Sequence, residues 1–172
     1  MLLVRAGHQL IHIDTDEEER ASALLSYLAD QLNLPLFTWS RIRGLSRIDL
    51  PGAVYDTENP SKAFRHIASS QMAALYHFKD LGPHLGEDPI LAAQMREAAE
   101  ALGEAGGSVL VTGSGLAFPD AVEQMVTPFV LPGPSDQEYR ELITQIVRDM
   151  RSRRVEMDMS KEDLTLLLRH MS

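Results

Sequence analysis

The chain has 172 residues, 44% of them hydrophobic and 24% charged, with a formal charge of −9 and no cysteine. That length suits one domain with a full core, while the acidic balance argues against a general nucleic-acid or anionic-membrane surface and the missing cysteines remove disulfides, thiolate nucleophiles and cysteine metal sites. No apolar run approaches the ~20 residues of a membrane helix, and Met1–His8 is too short and polar for a signal peptide, so a cytoplasmic protein is expected.

In chain order, Leu10–Asp14 reads as a short strand. Thr15 follows as a helix N-cap, with Glu18 completing a capping box. Ala21, Leu24, Leu25, Leu28 and Leu32 then recur at helical spacing up to about Asn33. Leu36–Ser40 is a second strand, rich in β-favouring residues. Residues 41–59 are the least regular part, punctuated by Gly44, Pro51 and Gly52. Asn59-Pro60 is a cap followed by proline at the first helical position, so Ser61–Ser70 is predicted helical, packing Ala63, Phe64 and Ile67.

Ala73–Phe78 is an apolar strand that runs into Asp80 and breaks at Gly82-Pro83. Asp88-Pro89 repeats the cap, and a helix lined by Ile90, Leu91, Met95, Ala98, Ala99 and Leu102 stops at Gly106-Gly107. Ser108–Gly113 is another buried strand, with a polar end through Ser114. A short helix near Asp120–Gln124 leads to a last strand, Thr127–Leu131. Beyond the Pro132-Gly133-Pro134 turn, amphipathic helices are predicted from Ser135 to Met150 and from Ser160 to Met171. Strands alternating with helices imply right-handed crossovers and a mostly parallel, five-stranded sheet covered on both faces.

In such sheets ligands gather outside the carboxyl ends of the strands, which draws attention to Asp80. Nucleoside triphosphate hydrolysis needs a glycine-rich loop and a lysine after the first strand. The segment Thr15-Asp16-Glu17-Glu18-Glu19 has neither and carries four carboxylates. A receiver-like phospho-acceptor domain would centre on Asp80 with Asp14, Asp16 and Thr112 around it, but Leu131-Pro132 stands where its lysine belongs. Aspartate-nucleophile phosphotransfer needs further acids on a later strand, and Gly113-Ser114-Gly115 supplies none.

The order of elements resembles the core of AAA-family ATPases. An apolar strand ends in Asp80 where the Walker B strand lies, and Ser114 falls at the first sensor. Phe118–Val122, Phe129–Pro132 and Ser135–Arg140 resemble the segments leading into the lid. Trp39-Ser40 with Arg43-Gly44-Leu45, and Phe78–Leu81 with Pro83-His84, are similar to the amino-terminal region of the AAA ATPases that include a chloroplast-genome-encoded hypothetical member. There a degenerate domain without a phosphate loop precedes the competent module.

The resemblance implies a three-layer, P-loop NTPase-like α/β fold with vestigial Walker B and sensor positions at Asp80 and Ser114. The Walker A loop is absent and Leu81 replaces the catalytic glutamate, so it implies no catalytic residue, cofactor or metal. The expected partner is an AAA motor module in the same or a neighbouring chain, or a second copy. Residues 1–154 form the degenerate domain on this reading, and 155–172 begin a helical lid or docking helix of a longer protein.

Two arginine clusters, Arg41, Arg43 and Arg47, and Arg151, Arg153 and Arg154, are candidate interaction sites for an acidic face. Arg148 lies next to the second. His8 and His12 share a strand face without a third ligand, and His77 reads as a hydrogen-bonded core histidine. Sheet order separates the two fold readings. An AAA-like domain places the strand at 10–14 between those at 108–113 and 127–131, whereas a receiver places it between those at 36–40 and 74–78.

Overall fold

The computed structural model describes residues 2–70, 72–86 and 88–133, and the chain up to Leu131 forms one compact unit. A short helix α1 (Leu2–Arg5) precedes β1 (Leu10–Asp14), α2 (Glu18–Leu32), β2 (Leu36–Ser40) and β3 (Gly44–Arg47). After these come α3 (Pro60–Ser70), β4 (Leu75–Phe78), α4 (Pro89–Ala105), β5 (Ser108–Thr112), α5 (Asp120–Glu123) and β6 (Val126–Val130). The helices expected from Ser135 and Ser160, the arginines at 148–154 and the boundary at 154/155 lie outside the described residues.

The sheet runs β3-β2-β4-β5-β1-β6. All neighbours are parallel except β2 and β3. β1 therefore lies between β5 and β6, the AAA-like order, and the receiver order is not present. The five-stranded expectation is corrected to six by β3, which falls in the stretch read as irregular. Its hairpin joins Ser40 to Gly44 through a three-residue loop. Gly44 takes the left-handed conformation (φ +67°) that such loops reserve for glycine.

One face of the sheet carries α3, α4 and α5. Ala63, Phe64 and Ile67 of α3 and Leu91, Met95, Ala99 and Leu102 of α4 bury against Trp39, Tyr76, Phe78, Val109 and Val111. On the opposite face, Ala21, Leu25, Leu28 and Ala29 of α2 cover Ile11, Ile13, Leu36, Leu75 and Leu110, and α1 adds Leu3 and Val4. The outcome is a three-layer α/β sandwich. Among the described residues no helix is long and apolar enough to cross a membrane.

Local signals set several boundaries. Asn59 Oδ1 accepts from Ser61 N at 2.9 Å and Asp88 Oδ1 from Ile90 N at 2.8 Å, so both Asx-Pro caps form as predicted. The box at Thr15 does not. α2 starts at Glu18 with Glu17 in the cap position and no side-chain cap bond. The Thr15 hydroxyl instead accepts from Glu17 N at 3.0 Å. That tight local turn competes with capping, as short hydroxyl side chains commonly do.

The base of the β2–β3 hairpin is fastened by Thr57. Trp39, fully buried, donates Nε1–H to the Thr57 carbonyl at 2.7 Å. The Thr57 hydroxyl accepts from Leu45 N at 2.8 Å and donates to the Val54 carbonyl at 2.7 Å. A Cβ on Gly44 would lie 2.6 Å from that hydroxyl and 3.0 Å from the Thr57 carbonyl carbon. Gly44→Ala therefore adds a clash to an unfavourable φ and is expected to cost about 1–3 kcal/mol. Urea unfolding followed by circular dichroism checks this; an unchanged midpoint would show that Thr57 yields freely.

Candidate functional site

Two places collect the residues singled out in the sequence: the mouth of the sheet, where the parallel strands end, and the β2–β3 hairpin at its flank. At the mouth, β1 leads into α2 through only Thr15, Asp16 and Glu17. This three-residue link contains no glycine, whereas the loops that wrap a phosphate with backbone N–H groups are glycine-rich. Glu17, Glu18 and Glu19 already neutralise the positive end of the helix dipole.

Two of these carboxylates, and Asp14 before them, have partners within the chain. Glu18 Oε1 lies 2.9 Å from Lys79 Nζ, tying the first turn of α2 to the end of β4. Glu17 Oε2 accepts from Arg20 Nη1 at 2.8 Å. Asp14 Oδ1 accepts from Gly115 N at 3.1 Å and so joins the ends of β1 and β5. Sequence reasoning missed the Lys79–Glu18 pair, whose members are distant in the chain and share no motif.

Asp80 follows β4 and Ser114 follows the adjacent β5. Both are exposed. Neither side chain makes a hydrogen bond or ion pair with another described residue. Asp80 takes a left-handed φ of +53°, a conformation that short polar side chains tolerate in turns. Among the described residues no group of three His, Asp or Glu side chains is placed to hold a metal ion.

The histidines are distributed through the sheet. His8 Nδ1 meets the Thr127 hydroxyl at 2.8 Å. His12 Nε2 donates to the Gly113 carbonyl at 2.7 Å, and its ring meets the edge of Phe118. His77 is fully buried, with Nε2 3.0 Å from the Thr112 hydroxyl and Nδ1 without a hydrogen-bond partner. Burial, and secondarily the nearby Lys79 charge, push its pKa down to about 3. A neutral imidazole thus lies in the layer beneath the Lys79–Glu18 pair.

At the flank, Arg41, Ile42 and Arg43 form the hairpin turn, and all three are exposed. Ile42 is 91% exposed. The turn is held by Arg43 N donating to Ser40 Oγ at 3.3 Å. Arg47, at the end of β3, is taken up by Asp49, with Nε 2.7 Å from Oδ1 and Nη2 2.9 Å from Oδ2. The guanidinium groups of Arg41 and Arg43 pair with no described carboxylate. Beside them Arg43 and Arg47 line a shallow cavity of about 610 Å³ with Ile48 and Leu50. The basic character of this flank is legible in the sequence; the exposure of the isoleucine between the arginines is not.

Residues 1–131 match the family described as SpoVK-like AAA ATPase, N-terminal domain. No curated protein matches the chain.

Proposed function

The chain belongs to the family of SpoVK-like AAA ATPase N-terminal domains, and on that footing we propose that it is a non-catalytic, cytoplasmic contact domain. It positions, regulates or oligomerises a competent AAA module in the same or a neighbouring chain, and leaves hydrolysis to that module. The observation that carries this reading is the Lys79–Glu18 ion pair at the mouth of the sheet. Lys79, which follows the carboxyl end of β4, is engaged by the chain's own carboxylate instead of being offered to a phosphate.

The surrounding electrostatics point the same way. A triphosphate brought to the start of α2 meets the acids at 16–19, and each like-charge contact at 4 Å costs about 1 kcal/mol in water and more in a cleft. Asp80 and Ser114 follow β4 and β5, and neither side chain pairs with another described residue, which supports the reading.

Isothermal titration of magnesium-ATP into the chain tests the proposal. No saturable binding is expected up to about 1 mM ligand. Micromolar binding that disappears in Asp80→Ala would make the domain a nucleotide site and overturn the reading.

A further inference from the structure

We infer that a single buried water links Ser22 Oγ of α2 to His77 Nδ1 of β4, in the layer beneath the Lys79–Glu18 ion pair. The inference stands apart from the contact-domain reading and needs no partner chain.

Among the described residues, Ser22 Oγ and His77 Nδ1 are buried and lack a hydrogen-bond partner. Arg47 Nε is the other such atom, and it has the Asp49 carboxylate 2.7 Å away. Buried polar side-chain atoms are nearly always paired, with protein or with an ordered water.

The packing of α2 on β4 brings the two atoms together. Leu75, His77 and Lys79 alternate onto one face of the sheet, the face that α2 covers through Leu25. Glu18, in the first turn of α2, reaches Lys79 at 2.9 Å. Leu25, two turns on, shares an apolar cluster with Leu75. Helix and strand therefore run in opposite directions, one above the other. Ser22 lies one turn past Glu18, about 6 Å along the helix. His77 lies two residues before Lys79, about 7 Å along the strand. Ser22 shares a side of α2 with Glu18 and Leu25, at the i, i+4 and i, i+3 spacings. The hydroxyl is thus carried to the level of the ring.

The two groups are chemically complementary. The Thr112 hydroxyl gives its one proton to the Phe78 carbonyl at 3.5 Å, so its oxygen accepts from His77 Nε2 at 3.0 Å. That network assigns the proton of the neutral ring to Nε2 and leaves Nδ1 as a bare acceptor. Ser22 offers a proton and has no acceptor. One water between them takes the serine proton and gives one of its own to the ring. Two polar partners are the minimum that holds a buried water, and such a bridge is nearly as favourable as a direct hydrogen bond. The chain from Ser22 through water, His77 and Thr112 to the Phe78 carbonyl ties α2 to β4 and β5.

Nuclear magnetic resonance of the 172-residue chain tests this. Long-range proton–nitrogen correlation should show His77 protonated on Nε2, with Nδ1 moved upfield from a free pyridine-type nitrogen by the hydrogen bond it accepts. A long-lived water should cross-relax with the ring Hε1, which adjoins Nδ1. Ser22→Ala should erase the water signal and the Nδ1 displacement with unchanged circular dichroism, and raise the unfolding constant about fivefold. In the His77→Leu background the same substitution should not raise that constant, because the group it serves is gone. A proton on Nδ1, no water signal at Hε1, or an equal Ser22→Ala loss in both backgrounds would each overturn the proposal.

Discussion

Trp39→Ala is expected to cost about 3–5 kcal/mol of unfolding free energy, the range for emptying a fully buried aromatic site. The indole stacks on Phe78 with ring centres 5.3 Å apart, and Phe78 stacks on Phe64 at 4.3 Å. The truncation therefore opens a void between β2, β4 and α3 at once. It also strips the Thr57 carbonyl of its donor, and an unsatisfied buried acceptor adds to the loss. Trp39→Phe separates the two contributions: it keeps most of the ring volume, loses the hydrogen bond and should cost about 1 kcal/mol. Trp39 is the chain's one tryptophan, so urea unfolding has to be followed by circular dichroism. A loss under about 1 kcal/mol for the alanine variant would mean that Thr57 and the hairpin base are not anchored through this ring.

What could be read from the sequence is what local chemistry determines. The Asn59-Pro60 and Asp88-Pro89 caps bond backbone groups two residues away, so a few residues contain the whole signal. The apolar faces of α3 and α4 follow from the 3.6-residue period, except that Ile90, in the first turn of α4, stays 61% exposed. β3 was invisible because it depends on distant groups: Thr57, a dozen residues on, supplies the bond to Leu45 N, and the strand itself is short and half-polar. The start of α2 was misplaced because Thr15 had two uses for its hydroxyl, and turning won over capping. At the candidate sites the same division holds. Asp80 could be placed at a strand end from the pattern, but its left-handed turn and the pairing of Lys79 with Glu18 needed three dimensions.

The other large effect is a loss of stability in acid that centres on His77. Its folded pKa is lowered from 6.5 to about 3, chiefly by burial and secondarily by the charge on Lys79. Above pH 6.5 the ring is neutral in both folded and unfolded chains and contributes nothing to pH dependence. As pH falls from 6.5 towards 3 the unfolded chain takes up a proton that the folded chain refuses. Stability then declines by up to about 1.4 kcal/mol per pH unit from this group. Carboxylates titrate over part of the same window, so the diagnostic quantity is the difference from His77→Leu. That variant gives up the Thr112 contact but removes the proton-binding group and its unpartnered Nδ1. Between about pH 7 and about pH 4.5 it should lose roughly 2–3 kcal/mol less stability than the native chain. Lys79→Gln, which removes only the secondary cause, should flatten the native curve by a smaller amount. Parallel pH curves for the native chain and His77→Leu would mean that the folded protein accepts the proton. The imidazole would then have access to bulk water or an anion in the folded chain, against the full burial of its side chain.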